Sequence, residues 1–321
     1  MDDLVLNFFD DRPWRPLSLW GLLTNKKTIS NLYAALQHQQ LSRLHLYPTL
    51  SRENFQASIQ RLKQAQLIAV TDEGAIITPA GRKQQQADFL PQDYRPWMNL
   101  VQFEPRLYLG VQVLSEASFA NRKYQPVITD YATQQQVKQW YRQVGRRSGI
   151  AELTAAFAML APDVANRLAS LFIGHDFAGT AVIQHLADQM RHLDDLSQLV
   201  SLIDQHAEWP ALQQLWGGRL PLISPSAARS LDGLNRGLTI PQIASATRLR
   251  PSTVMEHIQL AALFGANIPV DQLYTPAEQA ALVPLQGENH QTIIDATGLD
   301  FFHVRLFQIL AVQQRWVTHV N

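Results

Sequence analysis

The chain has 321 residues, 46% of them hydrophobic and only 17% charged, with 27 lysines and arginines against 27 aspartates and glutamates and no cysteine. That length and composition describe a globular protein of two or three domains, and a net charge of zero leaves any affinity for nucleic acid to local patches. Without cysteine there are no disulfides, thiol nucleophiles or Cys-based zinc sites, while the acidic Met1-Asp2-Asp3 start and the lack of a bilayer-length apolar run point to a cytoplasmic protein.

Up to about Trp20 the chain is an aromatic arm with Phe8, Phe9 and Trp14. Ile29, Leu32, Tyr33 and Leu36 then recur at helical spacing, and Ser51 is placed to cap a second helix carrying Phe55, Ile59 and Leu62. Residues 67–70, the turn Asp72-Glu73-Gly74 and residues 75–77 predict a β-hairpin. Thr78-Pro79 starts a further helix, with threonine at the N-cap and proline at the first position. Helices followed by such a hairpin predict a winged-helix-like domain over residues 1–90. Its recognition helix would be residues 51–66, where Arg52, Gln56 and Lys63 form a row that is either a phosphate contact or the solvated edge of an amphipathic helix.

A helical middle domain is expected over residues 91–218. Residues 88–105, with Pro91, Pro96 and Pro105, read as a connector. Leu107, Val111 and Leu114 then mark one helix face, residues 124–130 a proline-interrupted loop, and residues 134–144 another helix. This is the most basic part of the chain: Arg122, Lys123, Lys138, Arg142, Arg146 and Arg147 stand against Asp130, with Tyr124, Tyr131, Trp140 and Tyr141 interleaved. Basic side chains track a phosphate backbone and aromatic faces stack on unpaired bases, a combination suited to single strands or a fork. The alternative is that Trp140 and Tyr141 are core and the charges a solvated rim. Residues 150–216 turn acidic and read as a helical packing layer or a docking face for a protein. His185 and His192 lie two helical turns apart, too far for one ion, and read as solvated side chains, so no metal is expected.

Residues 219–321, after the hinge at Gly217-Gly218, form the last predicted domain. In LTIPQIASATRLRPSTVMEHI, residues 238–258, Ile243 and Ala244 close a short helix, Leu249 sits in a turn, and Val254 and Ile258 open the next helix. A small residue at Ala244 lets two helices cross closely, and Pro251 falls at the first helical position, where its missing N–H costs nothing. This is helix-turn-helix spacing. Arg236, Arg248 and Arg250 are placed to hold phosphates, and Ser252 and Gln259 to face a DNA groove. Glu256 and Leu263 lie on the same side and suit a protein partner better than a base edge. Residues 291–316 repeat the rhythm through Ile293, Gly298, Val304, Phe307 and Leu310.

Residues 238–258 resemble the helix-turn-helix of response regulators and sigma factors. They resemble more closely the helicase helix-turn-helix module found at the C-termini of RecQ-type helicases and in YpbB-like proteins. RLYLGVQVLSE (residues 106–116) and YQPVITD (residues 124–130) are similar to the middle of YpbB-like proteins, so that the resemblance covers most of the chain. It implies a mostly α-helical, non-enzymatic DNA-binding adaptor, accessory to a RecQ-type DNA helicase in repair or recombination, with no cofactor and no catalytic residues to carry over. Consistently, the chain has no G-x-x-x-x-G-K-[ST] loop, no H-E-x-x-H and no nucleophile elbow. Two other readings stay open on the residues alone. One is a dimeric transcription regulator reading a palindrome with the helix from Pro251; the other is a protein-interaction scaffold without DNA contact, favoured by Glu256, Leu263 and the zero net charge.

Overall fold

The computed structural model describes residues 1–316, and the chain is mostly helical. It begins with α1 (Asp2–Leu6), α2 (Pro16–Leu23), α3 (Ile29–Gln37), α4 (Arg52–Gln64), the strands β1 (Ile68–Val70) and β2 (Ala75–Ile77), and α5 (Pro79–Gln84). There follow α6 (Leu100–Ser118), α7 (Tyr131–Met159), α8 (Pro162–Ala169), a second small hairpin of β3 (Ile173–Gly174) and β4 (Phe177–Ala178), α9 (Leu186–Gln205) and α10 (Pro210–Trp216). The C-terminal part runs α11 (Pro225–Asn235), α12 (Ile240–Thr247), α13 (Pro251–Leu263), α14 (Pro276–Leu282), α15 (His290–Thr297) and α16 (Phe301–Val312).

Helix starts are written into the sequence as a short polar residue, often followed by proline. Ser51 Oγ accepts from the Asn54 N–H at 3.1 Å, and Thr78 Oγ1 from the Gly81 N–H at 3.0 Å with Pro79 at the first position. Thr275 and Glu278 cap α14 reciprocally in the same way. Each such cap satisfies backbone donors that the first turn leaves open. Several elements differ from expectation, and the stretch read as an aromatic arm forms α1 and α2. The connector ends at Asn99, because α6 carries Pro105 inside it: one lost backbone bond in the second turn is outweighed by the burial of Phe103, Leu107 and Leu114. The hairpin β3/β4 interrupts the expected helical run, pairing Ile173 with Ala178.

The chain forms two compact units: Met1–Phe9, Ser51–Ala69 and Ile77–Leu220 in the first, and Asp10–Leu50, Val70–Ile76 and Pro221 onward in the second. Residues 1–90 therefore contribute to both, although the helices-then-hairpin order expected of a winged helix is present along the chain. In the first unit α1 packs on α4, where Asp2 accepts from Ser58 Oγ at 2.7 Å and from Arg61 Nε at 2.8 Å. Helices α6, α7, α9 and α10 enclose Phe103, Trp140, Leu199 and Trp216. The two indole N–H groups are satisfied inside this core, Trp140 donating to Ala211 O at 2.7 Å and Trp216 to Met98 O at 2.6 Å. In the second unit α2 pairs with α3, and α3 lies against α13 and α16. The Arg305 guanidinium of α16 sits 4.0 Å over the Tyr33 ring of α3, and burial lowers its pKa.

Among the described residues no helix is long and apolar enough to cross a membrane, and no group of three His, Asp or Glu side chains could hold a metal ion. His192 is not solvated as expected: it is buried, with Nε2 2.8 Å from Glu104 Oε1 and 3.1 Å from the Tyr108 hydroxyl. His185, at the start of α9, is exposed.

Candidate nucleic-acid interface

In the first unit the basic stretch becomes a groove. Leu109, Val113 and Ala117 of α6 share a face by their spacing of four, and Gln134, Val137, Lys138 and Tyr141 share one on α7. These faces, closed by the loop that carries Asn121, Arg122, Tyr124 and Pro126, line an open groove of about 550 Å³. Lys138 and Arg122 bring charge to its rim, while Tyr124 and Tyr141 lie half-buried in its wall. Burial first, then the neighbouring Glu116 and Tyr141, raise the Tyr124 pKa, so its ring is a neutral surface at physiological pH. Tyr131 stands one turn before Gln134 on the same α7 face and is 72% exposed. Trp140 is core rather than a stacking surface.

Helix α7 is broken at Gly145, whose φ of 76° and ψ of 165° belong to a backbone region that is essentially glycine's own. The break redirects the chain, and Arg146 Nη1 donates to Ala117 O at 3.0 Å, beside the groove. Arg122, Lys123, Lys138, Arg142 and Arg147 are exposed and make no ion pair among the described residues. Of these, Arg122 and Lys138 line the cleft, and unneutralised cations beside an apolar and aromatic surface are what a phosphate backbone with accessible bases calls for. On α4, Arg52, Gln56 and Lys63 also face solvent, along one edge of the buried stripe of Phe55, Ser58, Ile59 and Leu62.

In the second unit, Thr239 and Gln242 cap α12 reciprocally, and α12 ends at Arg248, held at φ 57°. The Leu249 N–H returns to Ala244 O at 3.0 Å, and Pro251 starts α13. Ile243, Ala244, Val254 and Ile258 are buried where α11, α12 and α13 meet, with Leu249 half-buried at the turn. On α11, Gly233 allows the close approach: a Cβ there would lie 2.9 Å from Ile243 Cγ1. Residues 226–306 match a family model described as a helix-turn-helix domain. No curated protein and no solved structure matches the chain.

The helix-turn-helix domain exposes only part of what the sequence assigned to DNA or a partner. Arg248, Arg250, Ser252 and Glu256 face solvent at the turn and along the start of α13, and Arg236 faces solvent at the end of α11. Gln259 and Leu263 do not. Gln259 is 4% exposed, with Nε2 donating to Phe302 O at 3.1 Å, and Leu263 is 2% exposed. The reason is that α3 and α16 pack on the side of α13 that an isolated helix-turn-helix would leave open. Neither residue is placed to touch a base or a partner. The second helix pair fares likewise: α16 buries Phe302, Val304, Leu306, Phe307 and Leu310 and is a core helix. The sequence missed Phe119, 63% exposed at the end of α6 beside the groove. Exposure of a lone aromatic at a helix end has no periodic signal.

Proposed function

We propose that the protein is a non-enzymatic DNA-binding adaptor that holds a strand near a fork and works with a RecQ-type helicase. The observation that carries the DNA-binding half is the α6/α7 groove itself, apolar and aromatic inside with the unpaired Arg122 and Lys138 in its lining, and with Lys123, Arg142 and Arg147 exposed and unpaired on the same stretch of chain. Arg248 and Arg250 at the turn of the helix-turn-helix domain, with Arg236 exposed at the end of α11, add further cations for phosphates. The helicase half rests on the resemblance of residues 238–258 to the helicase helix-turn-helix module. A regulator reading bases with α13 is disfavoured, because burial of Gln259 and Leu263 leaves Pro251, Ser252 and Glu256 as its exposed edge, with a carboxylate where a groove-reading helix offers donors. The experiment is fluorescence anisotropy on forked, duplex and single-stranded DNA, followed by addition of a RecQ-type helicase that lacks its own C-terminal module. A ternary complex on the fork is expected. Absence of DNA binding removes the first half of the proposal, and a helicase that does not join the complex removes the second.

A further inference from the structure

Phe119 is out of place for a structural residue. It caps α6 at the surface, the residue 63% exposed, and its ring is stacked on His175 with centroids 4.4 Å apart and planes at 28°. The imidazole beneath is itself held: the His175 backbone N–H donates to Ser115 Oγ at 3.0 Å, Nδ1 lies 3.0 Å from Glu116 Oε2, and Nε2 lies 3.4 Å from Asp176 Oδ2. Glu116 is buried, and its Oε2 also accepts from Asn121 Nδ2 at 2.7 Å. One carboxylate therefore ties the ring pair to the loop that walls the groove. With His175 covering one face, the exposure of Phe119 belongs to its other face and its edge.

We propose that Phe119, backed by His175, is a stacking platform for an unpaired base of a strand whose phosphates lie on Arg122, Lys138 and Arg146. Ala117 and Ala120, which flank Phe119, line the groove, and Arg146 reaches Ala117 O, so the platform and the cations adjoin. An aromatic face accepts any unstacked base but is closed to a base inside a duplex, whose faces are already covered. The platform thus makes the groove selective for single-stranded nucleic acid. Asp176, exposed on the His175 side, repels phosphate there and keeps the backbone on the side of the cations. This inference rests on the proposed DNA-binding role of the same groove.

The test uses the full chain and two fluorescein-labelled probes, an oligothymidine of about 20 nucleotides, longer than one such site, and a duplex of equal length. Phe119→Ala is expected to weaken oligothymidine binding at least about fivefold, the lower end of what one stacked base contributes. The slope of log affinity against log salt should stay unchanged because no charge is removed. Phe119→Trp should restore binding, and duplex affinity should not move in either variant. Lys138→Glu with Arg142→Glu, in contrast, should weaken both probes and flatten the salt slope. If that charge reversal acts as expected while Phe119→Ala leaves oligothymidine binding intact, or weakens both probes equally, the platform is refuted and the DNA-binding groove stands. If the charge reversal changes nothing, the groove itself is refuted and the platform with it.

Discussion

Replacing Gly233 by valine should destabilise the second unit through a single contact. Gly233 is buried on α11, and the Cβ of any other residue would sit 2.9 Å from Ile243 Cγ1 and 3.4 Å from its Cδ1. Ile243 is 1% exposed and cannot swing into solvent to make room. Helix propensity favours valine over glycine by about 0.5 kcal/mol, whereas forcing extra carbons into a packed interior costs about 1–3 kcal/mol. The clash wins, with a net loss of about 0.5–2.5 kcal/mol. Ile243→Ala alone should cost about 2–5 kcal/mol by leaving a cavity. In the double variant the valine fills part of that cavity, so the combined loss should fall short of the sum by at least about 1 kcal/mol. Urea unfolding of the full chain, followed by far-UV circular dichroism, gives all three values. Strict additivity, or a Gly233→Val variant as stable as the parent, would refute the close crossing of α11 and α12.

Further expectations follow from other positions. Gly145→Ala meets no neighbouring atom but must adopt a conformation reserved for glycine; it should cost about 1–3 kcal/mol and weaken DNA binding by moving Arg146, both measurable on one preparation by thermal melting and anisotropy. Gln259→Ala leaves the Phe302 carbonyl without its buried donor and should lower stability by about 1–3 kcal/mol while the folded protein keeps its DNA affinity; selective loss of binding without loss of stability would contradict the burial of α13. Asp2 has its pKa lowered, chiefly by the Arg61 hydrogen bond and opposed by burial. A depressed folded-state pKa gives stability that is complete above the unfolded value of about 4 and is lost as pH falls through the lower folded value, so Asp2→Asn should flatten the acid limb of a pH–melting curve and leave its shape above about pH 5 unchanged.

Local structure was legible where a side chain acts on its own backbone. Ser51 and Thr78 announce helix starts, and Pro251 after Leu249 announces the turn, because capping and proline geometry depend on a few consecutive residues. What covers a helix depends on residues distant in sequence. The signal that α13 is enclosed was nonetheless present: Leu260, Ala261, Ala262 and Leu263 are apolar in succession, and a helix apolar all round is a buried one. Helical angle alone points Gln259 and Leu263 outward, but it takes no account of what packs against them. That residues 10–50 join the C-terminal unit was not legible, since it depends on tertiary pairs such as Arg305 over Tyr33. The basic run was legible as charge, but its conversion into a groove depends on α6 meeting α7 and on the break at Gly145. The exposure of Phe119 was not legible, because exposure is a property of the fold.

The most direct test of the account is the salt dependence of binding to forked DNA for the parent and for the variant carrying Arg142→Glu, Arg146→Glu and Arg147→Glu. Each phosphate contact contributes about 0.7–0.9 to the log–log slope, so the variant should bind far more weakly and its slope should be shallower by about two to three. An unchanged affinity and slope would show that the α6/α7 groove does not hold DNA.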